Sequence, residues 1–116
     1  MTQEPEIDPR KFTEYSMNPE HPDNKGKWMA YAALGYNVQS LESREAAARD
    51  VMDQLRQGLP AAPSIPGQTS PYGTRFKVRL RIEGPNGKEG TLVTTWQIDR
   101  GKETPRLITN CLEVDR

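Results

Sequence analysis

His21 is the chain's only histidine, and Lys25 and Lys27 follow it closely. An imidazole can give or take a proton near neutral pH. Ammonium groups beside it can hold an anionic substrate or offset developing negative charge. The Asn18-Pro19 and His21-Pro22 steps place the histidine in a turn, because the residue before a proline is disfavoured in helix. If a helix starts near Lys25, its first backbone N–H groups add to an anion site. The same residues also read as an ordinary solvated turn, with no chemistry attached.

A second group of charged residues lies further along. From Thr74 to Glu83, Arg75, Lys77, Arg79 and Arg81 alternate with Phe76, Val78, Leu80 and Ile82. Strand side chains point to opposite sides in turn, so this segment has one apolar face and one face of four cations. At strand rise that row spans roughly 20 Å, long enough to follow several phosphates. A strand can equally carry such charges only to remain soluble. In the next apolar run Leu92, Thr94, Trp96 and Ile98 share one face, predicted as core, and Val93, Thr95 and Gln97 share the other. Thr95, with Arg106 and Thr109 beyond it, offers the hydroxyl and guanidinium donors of an oxyanion or phosphate site. Regular alternation allows only one of Arg106 and Thr109 on the side of Thr95.

Several chemistries find no support. Gly84, Gly87 and Gly90 sit in a hairpin and open no helix, as a nucleotide-phosphate loop would. Cys111 is the sole cysteine and has no activating neighbour in the sequence, so it reads as a small core residue. The acids are scattered, giving no metal site, and no cofactor is called for.

The elements that must position these groups follow from the pattern. Ser43 is a good N-cap, and Ala47, Ala48, Val51, Met52 and Leu55 recur at helical spacing up to Gly58 and Pro60. A shorter helix is predicted over Lys25 to Leu34, with Gly35 as its C-cap. Lys11 to Met17 fits either one helical turn or an edge pairing. Gly84-Pro85-Asn86-Gly87 contains the Asn-Gly hairpin signal between the basic strand and a second strand at Thr91 to Ile98. Asp99 to Glu103 turns the chain into a third strand at Arg106 to Leu112. The expected fold is α+β: two N-terminal helices packed on a three- to four-stranded antiparallel meander.

At 116 residues the chain is one domain, and 34% apolar residues supply a core only if part of the sequence stays outside it. Residues 1–10 read as a flexible tail and residues 11–116 as the domain. Gln57 to Tyr72, with Pro60, Pro63, Pro66 and Pro71, reads as an irregular connection. Net charge is zero, yet Thr74 to Arg106 holds eight Lys or Arg against four acids, so the sheet region is locally basic. No apolar run reaches the roughly 20 residues that span a bilayer, and the acidic start is unlike a signal peptide. The expected setting is cytoplasmic, with no membrane partner and the oligomeric state left open.

Asn18-Pro19-x-His21-Pro22 with its following lysine, Ala33-Leu34-Gly35-Tyr36, Tyr72-Gly73, Gly84-Pro85-x-Gly87, Thr95-Trp96-x-Ile98 and Pro105-Arg106-Leu107-Ile108-Thr109 occur in that order. This ordered set resembles a small bacterial domain family of unknown function, found alone or at the ends of toxin-like and phage-associated proteins. The order of helices then meander is also similar to the fold group uniting barnase, EndoU, colicin-type and RelE-type ribonucleases. That resemblance implies metal-independent RNA cleavage, with His21 as base or acid and Lys25 or Lys27 as its partner or charge stabiliser. It implies a phosphate site at Arg75, Thr95 and Arg106, with Lys77, Arg79 and Arg81 as a nucleic-acid track. RNA and an inhibitory or immunity-type protein are the implied partners. The sequence departs from such enzymes in lacking a second histidine or an evident glutamate. The alternative is a non-catalytic inhibitor or adaptor, binding protein or nucleic acid through the basic sheet face.

Overall fold

A computed structural model describes residues 4–115. The chain forms an α+β fold in which helices from its first half cover one face of an antiparallel meander made by its second half. In order come a wide helical turn at Lys11–Ser16, α1 (Trp28–Ala33), α2 (Leu41–Gly58) and a tight turn at Leu59–Ala61. Four strands follow in sequential sheet order: β1 (Ser64–Ser70), β2 (Gly73–Glu83), β3 (Glu89–Asp99) and β4 (Arg106–Val114).

The core lies between α2, the first helical turn and the even-numbered face of β2 and β3. Val78, Ile82, Leu92 and Trp96 are buried against Val51, Leu55 and Phe12. Phe76 and Leu80, on the same face of β2, are half-buried. Trp96 brings a polar N–H into that core, and Thr94 satisfies it: Trp96 Nε1 donates to Thr94 Oγ1 (2.8 Å), which donates to the Val78 carbonyl (2.8 Å). Tyr31 OH donates to Asn110 Oδ1, and Asn110 Nδ2 donates to the Lys11 carbonyl (3.2 Å). Burial pushes the Tyr31 phenol well above its ordinary range, so it stays a neutral donor.

Three boundaries differ from the sequence pattern, each for a local reason. The cap of α2 is Ser40, whose Oγ accepts from Ser43 N–H (3.1 Å) while Ser43 Oγ accepts from Ser40 N–H (3.1 Å). Ser43 thus closes the cap from inside the first turn. Helix α1 begins at Trp28, three residues later than Lys25, because Lys25 (φ 52°) and Gly26 (φ 86°) are left-handed and break a right-handed helix. The Pro-rich stretch contains β1, a wholly exposed edge strand with a bulge between Pro66 and Thr69. An edge tolerates proline because the missing N–H would have faced solvent. Lys11 to Ser16 takes the helical alternative. Glu6 is pinned beside β4: its N–H donates to the Pro105 carbonyl and its carbonyl accepts from Leu107 N–H, both at 2.9 Å.

Asn24 is the joint between the helical segments. It is 1% exposed, its Nδ2 donates to the carbonyls of Tyr15 (2.6 Å) and Ser16 (3.1 Å), and its Oδ1 accepts from Trp28 N–H (3.1 Å). At the other end of α1, Asn86 donates from its backbone to the Leu34 carbonyl (3.2 Å) and from Nδ2 to the Ala33 carbonyl (3.0 Å). Gly84 permits this docking, since a Cβ there would lie 2.1 Å from the Leu34 oxygen.

Asn24→Ala strands two carbonyls and one N–H in a buried joint. Urea denaturation should show a loss of about 3 kcal/mol. Gly84→Ala should lose a comparable amount by pushing the β2–β3 hairpin off α1. A midpoint unchanged in either variant would contradict these roles.

Candidate functional site

The candidate residues of the strands lie on the sheet face turned away from the helices, and His21, Lys25 and Lys27 lie outside the sheet. Register between β2 and β3 is unbroken and pairs Arg75 with Gln97, Lys77 with Thr95, Arg79 with Val93 and Arg81 with Thr91. Directly paired residues project to one face, so Thr95 stands beside Lys77 in the basic row.

Strand β4 supplies the next side chains through a bulge. Thr95 pairs with Thr109 and Trp96 with Leu107, leaving Ile108 as an extra residue, while Gln97 pairs with Arg106. The extra residue shifts the alternation. Arg106 and Thr109 therefore share the open face with Thr95, against the expectation that only one could.

Two rungs result. Lys77, Thr95 and Thr109 run across the sheet, and Lys27 completes the row: its Nζ donates to Thr109 Oγ1 (3.4 Å) and sits 4.6 Å above the Tyr15 ring. In the adjacent rung Arg75 Nε donates to Gln97 Oε1 (2.9 Å) and Gln97 Nε2 donates to Asp99 Oδ1 (2.6 Å). Arg106 grips Asp99 with Nε (2.7 Å) and NH2 (3.1 Å). The Arg106 guanidinium, and after it the Gln97 amide, hold the Asp99 carboxyl below its ordinary range. Arg106 is correspondingly held charged, and both side chains remain partly exposed.

The other half of the basic row is engaged differently. Arg79 is ion-paired with Glu113, and Arg81 with Asp115, reaching Asp115 Oδ1 at 2.7 Å and Thr91 Oγ1 at 3.2 Å. Each of these four side chains is about half exposed, so the pairs add little stability. Their effect is to neutralise that end of the face.

His21 stands at the rim of β4. Its ring meets Tyr15 edge-on at 5.1 Å between centroids. Asp23 N–H donates to His21 Nδ1 (3.0 Å), so the neutral ring carries its proton on Nε2 and presents a donor there. Lys25 is exposed and serves the left-handed turn. The start of α1 offers less to an anion than expected, because Asn24 already occupies the Trp28 N–H.

Two clefts flank this surface. One, of about 590 Å³, is lined by His21, Thr109, Glu14, Tyr15, Lys11 and Asp8, among others. The other, of about 520 Å³, is lined by Arg75, Gln97, Asp99, Arg106 and Tyr72 with Gln68 and Ser70. His21 and Arg106 thus belong to separate clefts, and the Thr95–Thr109 pair stands on the sheet between them. The sequence alone did not single out Gln97 and Asp99 as the link between Arg75 and Arg106, nor Tyr15 as the support of Lys27. Pairing register was the missing signal in the first case.

A meander carrying cations and hydroxyls on its open face, with helices behind it, defines a small α+β domain. A domain of unknown function, DUF6883, matches residues 2–113, and the chain belongs to that family. No curated protein matches it. Among solved structures, the fold is similar to a chain in a contact-dependent growth inhibition toxin–immunity protein complex from Klebsiella pneumoniae 342. The two share 18% identity over 94% of this chain and 93% of that one, with a TM-score of 0.64. No helix among the described residues is long and apolar enough to cross a membrane.

Charge reversal should affect the two halves unequally. Lys77→Glu should lower the salt concentration at which a heparin column releases the domain more than Arg81→Glu does, because Asp115 already compensates Arg81. Equal shifts would mean that the row acts as one continuous track.

Proposed function

We propose that this chain is a toxin-type domain that cleaves RNA without a metal, holding the scissile phosphate over the Thr95–Thr109 pair. The observation that carries the reading is the row Lys77–Thr95–Thr109–Lys27, two ammonium groups bracketing two hydroxyls across an open sheet face. The likeness to a chain from a toxin–immunity complex supports the toxin context, and the order of helices followed by a meander, similar to that of the ribonuclease fold group, supports the reaction. The 2′-oxygen attacks phosphorus and the bond to the 5′-oxygen breaks, leaving a 2′,3′-cyclic phosphate and a free 5′-hydroxyl.

Lys27, Lys77 and the two threonines meet the charge that builds on the non-bridging oxygens. Arg75 and Arg106 take the neighbouring phosphate. His21 is the acid: charging it at Nδ1 releases the Asp23 N–H, and Nε2 then gives its proton to the leaving 5′-oxygen. Glu14 lines the same cleft as His21 and Thr109 and is assigned to accept the 2′ proton.

A second reading, a non-catalytic module that captures a partner protein, is favoured by one observation. Three arginines of the face, Arg79, Arg81 and Arg106, already have carboxylate partners. An immunity-type protein is the partner proposed under either reading.

Incubating the purified domain with total RNA in the presence of chelator separates the two. Cleavage ending in 2′,3′-cyclic phosphate is expected, and Lys27→Ala, His21→Ala and Arg106→Ala should each reduce it by about 10²-fold or more while leaving the melting transition in place. Intact RNA under all conditions would overturn the enzymatic reading in favour of the binding module. Full activity in His21→Ala and Arg106→Ala would overturn the assignment of roles.

A further inference from the structure

Tyr72 is the most exposed of the large apolar side chains among the described residues, at 79%. Its backbone is nonetheless held on both sides. Tyr72 N–H donates to Ser70 Oγ (3.2 Å) and its carbonyl accepts from Arg100 N–H (2.9 Å). Gly73 beside it pairs with Asp99 and lies so close to β3 that a Cβ would meet the Ile98 oxygen at 2.2 Å. An aromatic ring on a fixed turn, open to solvent and lining a cleft with two arginines, has no folding role that explains its exposure.

We propose that this cleft is a nucleobase subsite for a single-stranded segment, with Tyr72 as the stacking platform. The subsite rests on the RNA reading above and deepens it by naming what the nucleotide next to the bound phosphate meets. Arg75 and Arg106 lie in the same cleft and anchor the sugar–phosphate, so a base attached there reaches the exposed ring. Every base has a π face, and stacking on an aromatic side chain tolerates sequence while requiring an unpaired strand. Gln68 and Ser70 bring an amide and a hydroxyl to the same cleft, from the bulge and the end of β1, and would meet the edge of the stacked base. The volume, about 520 Å³, accommodates one nucleotide.

The test uses the full chain and two labelled 2′-O-methyl oligonucleotides of equal length and charge, one with bases and one abasic, with binding followed by fluorescence anisotropy. Wild type should bind the base-bearing strand about tenfold tighter, the effect expected of one stacked base. Tyr72→Ala should erase that preference, Tyr72→Phe should keep it, and Lys77→Glu should weaken both strands alike. A preference that survives Tyr72→Ala overturns the subsite while RNA binding stands. Failure of both strands to bind at low salt overturns the subsite and the RNA reading together.

Discussion

One extra residue in β4 determines what the open face of the sheet can hold. Side chains along a strand repeat every two residues, so Arg106 and Thr109, three apart, would face opposite ways in a regular strand. Ile108 has no partner on β3, and the alternation restarts after it. The core holds this irregularity from both sides. Leu107 before it is buried, and Asn110 after it is buried and bonded to Tyr31 and to the Lys11 carbonyl. The bulge is therefore set by residues that never reach the open face. What it produces there is a hydroxyl and a guanidinium on neighbouring rungs.

The partition of charge depends equally on register. Trp96 must bury its indole and satisfy its N–H through Thr94, which in turn bonds the Val78 carbonyl across the ladder. A slip of one residue would expose that pair, so the central strands are locked, and every cation of β2 is assigned a rung. Glu113 and Asp115 then fall within reach of Arg79 and Arg81, from which they are separated by 34 residues in the chain. At the opposite end Arg75, Lys77, Arg106 and Lys27 share the surface with Asp99. The positive field of the open face is thus concentrated over part of the row, where Thr95 and Thr109 stand.

Much of the fold was legible because the sequence obeys two clean periods. The 3.6-residue spacing of Ala47, Ala48, Val51 and Leu55 marked α2, and the alternation of β2 marked a two-faced sheet. The late start of α1 was not legible, because Lys25 adopts a left-handed backbone that its residue type does not announce. Strand β1 was hidden by its prolines, which remove the very N–H groups that define a strand and are tolerated only because β1 is an edge. In the site, the residue types of His21, Lys27, Thr95 and Arg106 pointed to anion chemistry, but the placement of Thr95 and Arg106 on one face depended on pairing and on a bulge. Neither can be read from composition or spacing. The linking groups Gln97 and Asp99 were invisible for the same reason, and Tyr15 because its contact with Lys27 depends on how the first helical turn packs.

Stability and site geometry meet at Asn24. Its three hydrogen bonds fix the carbonyls of Tyr15 and Ser16 against the start of α1, which sets where the Tyr15 side chain leaves the backbone. The Tyr15 ring carries Lys27 on its face and has His21 against it edge-on. Lys27 is a long, flexible ammonium, and holding it toward Thr109 costs rotamer entropy that the ring's attraction offsets. His21 gains orientation from the same ring and from the Asp23 N–H, which leaves Nε2 as its outward donor. The turn bounded by Pro19 and Pro22 thus does more than reverse the chain. It delivers an imidazole donor to the rim of β4, where the bulge has already placed Thr109 and the residue before α1 brings the Lys27 ammonium.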